Sequence, residues 1–425
     1  MKRVILTLTA LVLASAAVAR GADWPAWRGS SGNGSTSKGE YPTRWSLEDA
    51  AWKTPLPATG TSTPIVWKDR IYLTTPAEGQ DAIMALDANG KQLWVTKLGP
   101  ESPAKHRTLA SSCNASPVTD GSGIFARFRS GRFVAVGLDG KVRWQINLDE
   151  KFGPEQLYWD QGSSPAVTGD MVIISRMHHG DSFVAAFDKR TGEQRWLVKR
   201  NYQVPPENDN GYTTPVMFQH KSRAAVLIWG ADQLTAYSAA DGTLIWSCGG
   251  FNPAGTKNWP AIANPVIHGN IAVIPVGRDD RNQGGIQGIR IDGSGDVTAT
   301  HRAWQRDDIR VFCSSPVEYQ GRIYLLRHRG GVVCLDPATG NTIWEDALPR
   351  GSSSYYSSPL VANGILYAAR EDGVVFTARV GEKLELLGEA PMGERLVASP
   401  VPANNSLLIR GDKHLFSIPA KAALK

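Results

Sequence analysis

The chain has 425 residues, including 43 glycines, 26 prolines and 14 tryptophans, and its formal net charge is +6. This length exceeds a typical single domain, but repeat proteins grow without splitting because each unit contacts only its neighbours. The small positive excess does not predict nucleic-acid binding, which usually needs a concentrated basic surface. The many glycines, prolines and tryptophans instead favour short strands joined by turns.

The chain begins with a leader of the secretory type. Met1 to Arg3 is basic, residues 4–18 are small and apolar, and Ala17-Val18-Ala19 fits a small-residue cleavage site. The apolar stretch is too short for a spanning helix, with a retained anchor as the alternative. We therefore predict that residues 1–19 are removed, that no transmembrane segment remains, and that the protein is periplasmic or secreted. No cysteine follows the apolar stretch, so a lipid anchor is not expected.

Residues 20–49 form a distinct segment that contains Trp24-Pro25-Ala26-Trp27-Arg28-Gly29 followed by a stretch rich in serine and glycine. Two tryptophans favour burial over a solvated tail. We predict that this segment packs on the folded domain as a structural cap, with ligand binding as the alternative. The next residues, Ala51-Trp52-Lys53, read as a single strand without a partner nearby in the sequence.

A short polar residue followed by proline then recurs eight times, and the prolines lie 41 to 53 residues apart. Each pair opens an alternating apolar run of the strand type, and such a period predicts repeated β-units. The pairs are Thr63-Pro64, Ser116-Pro117, Ser164-Pro165, Thr214-Pro215, Asn264-Pro265, Ser315-Pro316, Ser358-Pro359 and Ser399-Pro400.

The sixth copy shows the unit most clearly, with strands over 316–319, 323–326 and 331–336 and a fourth around Trp344. Four such antiparallel strands form one propeller blade, which buries its faces against neighbouring blades. We predict an all-β chain, an eight-bladed β-propeller over residues 50–419, with a tail at 420–425. The eighth unit lacks a fourth strand, so we expect the strand at Trp52 to complete it. The alternative is a seven-bladed ring with an extra hairpin.

A second pattern closes most units. Ala186 to Trp196 has alanine, aspartate, glycine and tryptophan at fixed offsets, and other copies repeat or shorten it. The aspartate and glycine build a tight turn, and tryptophan offers a flat apolar body with one N–H. No tryptophan closes the seventh unit. We predict that the tryptophans lie at the seams between blades: Trp52, Trp94, Trp144, Trp196, Trp246, Trp304 and Trp344.

These repeats resemble the tryptophan-docking repeat of the quinoprotein, or PQQ-like, propeller superfamily over most of the chain after its first fifty residues. That superfamily contains calcium- and pyrroloquinoline-quinone-dependent alcohol dehydrogenases and non-catalytic BamB-like scaffold proteins. The dehydrogenases typically show an adjacent cysteine pair, whereas Cys113, Cys248, Cys313 and Cys334 do not adjoin. The resemblance therefore implies a protein closer to the BamB-like members, with no cofactor expected. The alternative is a periplasmic dehydrogenase of alcohols or sugars that uses PQQ and calcium.

The four cysteines leave two possibilities open. An exported protein with four cysteines could form up to two disulfides. We favour buried free thiols that act as small apolar residues.

Loops joining the second strand to the third, and the fourth to the next first strand, share one face of a propeller, here called the loop face. Six blades carry arginine in the second-to-third loop, and aromatic residues precede several innermost strands. Guanidinium groups favour anionic ligands, although salt bridges between blades are an equally physical explanation. The candidate ligand-binding residues are Arg127, Arg129, His178, His179, Arg278, Arg281, Arg327, Arg329, Arg370, Arg410, Trp159, Trp259, Tyr355 and Tyr356.

The prediction for function is an exported, non-catalytic, monomeric propeller. Its loop face would bind a cell-envelope protein, a peptide or an anionic polysaccharide, and not nucleic acid. We assign no catalytic or metal residues, because adjacent histidines on a loop, such as His178-His179, are usually solvated.

Overall fold

The structure is a computed structural model that describes residues 23–106 and 110–420. The predicted leader and all but the first residue of the predicted tail lie outside this range. The described chain forms eight antiparallel four-stranded sheets, two of which gain a fifth short strand. This confirms the eight-bladed propeller and rules out the seven-bladed alternative. No helix among the described residues is long and apolar enough to cross a membrane.

Within each blade the strands follow one another from the channel to the rim. Blade 1 contains Ile65–Trp67, Arg70–Ala77, Gln80–Asp87 and Gln92–Pro100. Blade 2 contains Val118–Thr119, Ile124–Arg127, Arg132–Val136 and Val142–Asn147. Blade 3 contains Ala166–Thr168, Met171–Arg176, Phe183–Asp188 and Gln194–Lys199. Blade 4 contains Val216–His220, Arg223–Gly230, Gln233–Ser238 and Leu244–Cys248, with Gly295–Asp296 added in parallel at its rim.

The second half of the ring repeats this order. Blade 5 contains Val266–His268, Ile271–Arg278, Gln283–Arg290 and Arg302–Arg306. Blade 6 contains Val317–Tyr319, Arg322–Leu326, Gly331–Leu335 and Thr342–Ala347. Blade 7 contains Leu360–Ala362, Ile365–Arg370, Val374–Val380 and Leu384–Pro391, with Ser35–Thr36 added in parallel to its inner strand. A short helix, Leu148–Phe152, and two 3-10 turns, Leu47–Asp49 and Asp279–Arg281, lie between strands.

Blade 8 closes the ring with strands from both ends of the chain. It contains Val401–Ala403, Ser406–Arg410, His414–Pro419 and, from the other end, Trp52–Pro55. The last two strands are antiparallel, with Trp52 opposite Ser417 and Lys53 opposite Phe416. The predicted closure is confirmed, and it leaves no three-stranded blade with an unpaired edge.

The polar residues before the eight prolines form a closed ring of hydrogen bonds. Each main-chain N–H donates to the side-chain oxygen of its counterpart in the next blade, as from Thr63 to Ser116 at 2.9 Å. Six equivalent bonds continue around the channel. The N–H of Ser399 then closes the ring on Thr63 Oγ1 at 3.2 Å. A short acceptor suits this role because the following proline holds the residue extended, so its N–H and side chain keep fixed directions.

The seven tryptophans occupy the seams between blades. Each indole N–H donates to a main-chain oxygen of the next blade, for example Trp246 to Ile291 at 3.2 Å. At several seams the indole rests on the glycine of the next turn: a Cβ on Gly192 would lie 2.8 Å from Trp144. A glycine is required there because a side chain would meet the ring. The remaining acceptors belong to Ala88, Leu138, Lys189, Ala239, Pro337 and Gly381.

The apolar core lies between blades and not within them. One cluster joins Phe125 and Phe133 of blade 2 to Ile174 and Phe187 of blade 3, and the other clusters likewise span neighbouring blades. Each blade is therefore stabilised by its neighbours, as expected for a repeat protein.

Residues 23–45, here called the N-terminal strap, cross the face of the ring opposite the loop face. Trp24 pairs with Val66 of blade 1, and the carbonyl of Pro25 accepts from Thr119 N of blade 2 at 2.8 Å. Arg28 then donates to the carbonyls of Pro359, at 2.9 Å, and Pro316. The strap thereby connects blades 1 and 2 with blades 6 and 7 across the channel.

Arg28 is buried, and no carboxylate is among its hydrogen-bond partners in the described structure. Burial lowers the pKa of its guanidinium to about 9. Main-chain oxygens replace water around this charge, so Arg28 is a buried polar contact between the strap and blades 6 and 7.

Candidate binding sites on the loop face

A cavity of about 370 Å³, here called the axial cavity, opens where the ring axis meets the loop face. Residues from the loops before all eight innermost strands line it, so the whole ring builds one site. Seven lining residues lie two positions before a polar residue-proline pair: Thr61, Asn114, Tyr212, Ile262, Cys313, Tyr356 and Val397. At the eighth position, Gly162 leaves room and Trp159 and Asp160 line the cavity instead.

Aromatic rings form much of the wall. His328 lies edge-on to Phe312 and to Tyr356, each with 5.3 Å between ring centroids. The guanidinium of Arg278 lies 4.6 Å from the centroid of Phe312. His328 is 7% exposed and its Nδ1 has no hydrogen-bond partner in the described structure. Burial lowers the pKa of His328, which keeps it neutral at pH 7.

Both carboxylates of the axial cavity are already paired with arginine. Arg278 holds Asp280 through two hydrogen bonds, of 3.0 and 2.7 Å. Asp160 is fully buried at its side chain, pairs with Arg129 and accepts from the N–H of Lys105 at 2.9 Å. The cavity therefore presents aromatic and polar surface without a free carboxylate.

This donor set does not fit the calcium that the dehydrogenases of the superfamily use with PQQ. Calcium takes six to eight oxygen ligands, whereas Asp160 and Asp280 are occupied by arginines. Within residues 23–106 and 110–420, no group of three or more histidine, cysteine, aspartate or glutamate side chains is placed to hold a metal. Burial also raises the pKa of Cys313 to about 12, so its thiol is protonated and a poor nucleophile.

Several arginines of the sequence prediction lie inside the seams. Arg127 and Arg410 are each 2% exposed. Arg127 donates to Ser175 O of the next blade at 2.8 Å and pairs with Glu155 at 2.7 Å. Arg410 donates to Ser62 O of blade 1 at 2.8 Å. Arg370 is 8% exposed and pairs with Asp372. These guanidinium groups bond to main-chain oxygens and carboxylates of the protein, so the structure does not present them to a ligand at the surface.

The other candidates are dispersed. Arg281 and Arg329 are exposed, while Arg327 pairs with Asp279 at 3.1 Å. Tyr355 is buried, and Trp259 lines a small neighbouring cavity that shares Ile262 and Phe312 with the axial cavity. His178 and His179 line a larger groove between blades 3 and 4. Of the fourteen candidate residues, the structure brings only Trp159, Arg278 and Tyr356 into the axial cavity.

The candidate residues from the sequence did not include Tyr212, Phe312, Cys313 and His328, which also line the axial cavity. The signal that could have found most of the site is positional. The residue two places before each polar residue-proline pair enters the channel at the loop face, whatever its chemistry.

All four cysteines lie within the described residues and are unpaired, and three of them are buried.

The closed ring, its polar residue-proline pairs and its docked tryptophans define a PQQ-like β-propeller. A family model described as outer membrane protein assembly factor BamB matches residues 48–196 and 180–416. The chain belongs to this BamB-like family. A search of curated proteins finds no match.

Solved structures share the fold at low sequence identity. BamB from Moraxella catarrhalis is 16% identical with a TM-score of 0.59, covering 86% of this chain and 97% of that one. Quinohemoprotein alcohol dehydrogenase from Comamonas testosteroni is 13% identical with a TM-score of 0.68, covering 96% and 82%. A europium-containing methanol dehydrogenase is 11% identical with a TM-score of 0.65, covering 92% and 90%. Because both BamB and dehydrogenases share the fold, these likenesses do not choose between binding and catalysis.

Proposed function

We propose that this chain is a non-catalytic binding module of the cell envelope whose loop face anchors a segment of a partner polypeptide in the axial cavity. The observation that carries the proposal is the aromatic wall of this cavity, together with the pairing of both its carboxylates with arginine. The membership in the BamB-like family and the predicted leader support the placement in the envelope.

The chemistry of the cavity suits an apolar side chain of a partner. Binding energy at protein interfaces concentrates where an aromatic or aliphatic anchor fills a desolvated pocket. Ile262, Phe312, Tyr356 and Val397 supply such walls, and a volume of about 370 Å³ lies within the range of small binding pockets. His328, whose Nδ1 has no hydrogen-bond partner in the described structure, is a polar group that can orient the main chain of the inserted segment.

A polypeptide partner fits better than the anionic polysaccharide also considered from the sequence. Arg127, Arg370 and Arg410 are committed to the seams, and Arg278 to Asp280. A polyanion would therefore find few free guanidinium groups at this mouth.

A displayed library of random peptides, selected on the purified mature protein, tests the proposal. We expect selected peptides to bind with a Kd that Tyr356→Ala or Val397→Asp raises at least about tenfold. The matched control is Leu93→Ala, on the outer strand of blade 1, where the side chain is 42% exposed. This variant is expected to keep the affinity unchanged.

Peptide binding that both cavity variants leave intact would contradict the proposal. A second arm adds PQQ and calcium to the protein. Binding of the quinone with an absorbance change and alcohol oxidation would replace the proposal by the dehydrogenase alternative.

A further inference from the structure

A second cavity, of about 940 Å³, lies on the loop face between blades 3 and 4. Its walls are the second-to-third loop of blade 3 and the loops that lead into the innermost strands of blades 3 and 4. We call it the interblade groove. It shares no lining residue with the axial cavity.

Two tyrosines provide its aromatic surface. Tyr158 is 59% exposed, the highest value among the exposed large apolar side chains of the described chain. Its ring is supported by Trp159, whose centroid lies 5.5 Å away in an edge-on arrangement. Tyr202 lies beneath the guanidinium of Arg200, 5.1 Å from its ring centroid. The rings are thus held in place by neighbours before any ligand arrives.

The charges that the groove offers to a ligand are negative. Arg200 is 2% exposed and is bonded to Thr235 Oγ1 at 3.1 Å, Gly230 O at 2.8 Å and Gln233 O at 2.7 Å, so its donors are used within the protein. Asp181, Glu207 and Asp209 line the same groove. Asp209 Oδ2 lies 3.0 Å from His179 Nδ1, and the ion pair of Asp181 with Lys199 is exposed and long, at 3.8 Å. Like charges repel, so a sulfated or carboxylated polymer is disfavoured here.

Amide side chains complete the lining and fix its loops. Asn210 accepts the N–H of Tyr158 at 3.0 Å. Asn208, at the base of the same loop, donates to Thr256 O at 3.0 Å and to Asp232 at 2.9 Å. Asn201 and Gln203 also line the groove. A fixed loop lowers the entropy cost of binding.

A buried histidine lies in the wall of the groove and contacts two of its loops. His178 is 4% exposed, lines the groove, and has no partner at Nε2 in the described structure. Its Nδ1 lies 2.8 Å from the carbonyl of His179. The N–H of Gln156 lies 3.3 Å from the same Nδ1, so His178 contacts both the second-to-third loop of blade 3 and the loop before its innermost strand.

We propose that the interblade groove binds a neutral oligosaccharide. Tyrosine rings stack on the apolar faces of pyranose units, while carboxylates and amides satisfy the hydroxyl groups. A volume of about 940 Å³ is at the upper end of the range for small-ligand sites and admits more than one sugar unit. This site goes beyond the polypeptide site proposed for the axial cavity and is independent of it.

The test is a glycan array that presents neutral, sulfated and carboxylated oligosaccharides to the purified mature protein. Calorimetry with the best neutral trisaccharide follows. We expect neutral glycans to bind and charged anionic ones not to. Tyr158→Ala should weaken binding at least about tenfold. Because the side chain is 59% exposed, the variant is expected to fold like the parent protein, and circular dichroism checks this.

Two controls separate the groove from its surroundings. Tyr202→Phe keeps the ring and should retain most of the affinity, whereas Tyr202→Ala should lose it. Tyr356→Ala, in the axial cavity, should leave sugar binding unchanged while weakening peptide binding. The proposal is overturned if no neutral glycan binds, if anionic glycans bind better, or if binding survives both Tyr158→Ala and Tyr202→Ala.

Discussion

Seven seams of this propeller share one construction, and the seam between blades 7 and 8 has another. At a regular seam the outer strand of one blade carries a tryptophan whose indole docks on the third-to-fourth turn of the next blade, as Trp246 docks on Ile291. At the remaining seam Gly388 takes the strand position of the tryptophan, opposite Thr377. Thr377 Oγ1 instead donates to Thr43 O of the strap at 2.6 Å, and Trp45 of the strap is buried there, 6.5 Å from Tyr367.

The difference follows from the closure of the ring. The outer strand of blade 8 arrives from residues 52–55, so the third strand does not turn directly into the fourth. Blade 8 thus has no third-to-fourth turn on which a tryptophan of blade 7 could dock. The strap fills the space with its own side chains. A repeated residue is therefore needed only where its docking partner exists.

The largest loss of stability is expected for a tryptophan variant at a regular seam. Trp246 is fully buried, so Trp246→Ala should lower the free energy of unfolding by about 3–5 kcal/mol through the cavity it leaves. Chemical denaturation measures the loss. Trp344 makes the same type of hydrogen bond, at 2.9 Å, but is only half-buried. Trp344→Ala should cost less, and equal losses would show that burial does not set the strength of a seam.

The next largest loss of stability is expected where Arg28 of the strap contacts blades 6 and 7. Arg28→Met should lower the free energy of unfolding by about 2–4 kcal/mol, because the carbonyls of Pro316 and Pro359 lose their buried donor. Arg44→Met is the matched control, since Arg44 is exposed and donates once, to Leu387 O. A loss at Arg28 no larger than that at Arg44 would mean that the strap adds little to the ring.

A smaller effect tests the irregular seam directly. Gly388→Trp restores the repeat residue where the strap now runs, and a Cβ there would already lie 3.2 Å from Arg44 Cγ and 3.3 Å from Thr43 O. We expect a loss of about 1–3 kcal/mol from overpacking, measured by thermal or chemical unfolding. A gain in stability would show that the seam lacks a tryptophan for some reason other than the strap.

The smallest effect concerns the polar ring, which is uniform across both kinds of seam. Thr63→Val should cost about 1–2 kcal/mol because the N–H of Ser399 loses its acceptor at the closure. Ser116→Ala removes an equivalent bond between blades 1 and 2 and should cost about the same. A much larger loss of stability for Thr63→Val than for Ser116→Ala would show that the ring is weakest at the contact between blades 8 and 1.

The candidate site was less predictable than the fold. Sequence patterns placed Arg127, Arg370 and Arg410 in the second-to-third loops, whereas each is the last residue of a second strand. That position can direct a guanidinium into a seam or into solvent. The choice depends on the neighbouring blade, which contributes Ser175 O to Arg127 and Ser62 O to Arg410. His328 and Phe312 were missed because their convergence on the axis depends on how the loops fold.

The sequence alone determined the eight-fold repeat, the four strands of the sixth blade and the strand pairing at Trp52. These follow from local patterns of alternation, turn residues and spacing, which recur in every copy. Only the tertiary structure decided that the polar residues before proline bond into one continuous circle, that the strap replaces a tryptophan, and which loop side chains meet in the two cavities. Those contacts join residues distant in the chain, and their geometry exists only once neighbouring blades have packed together.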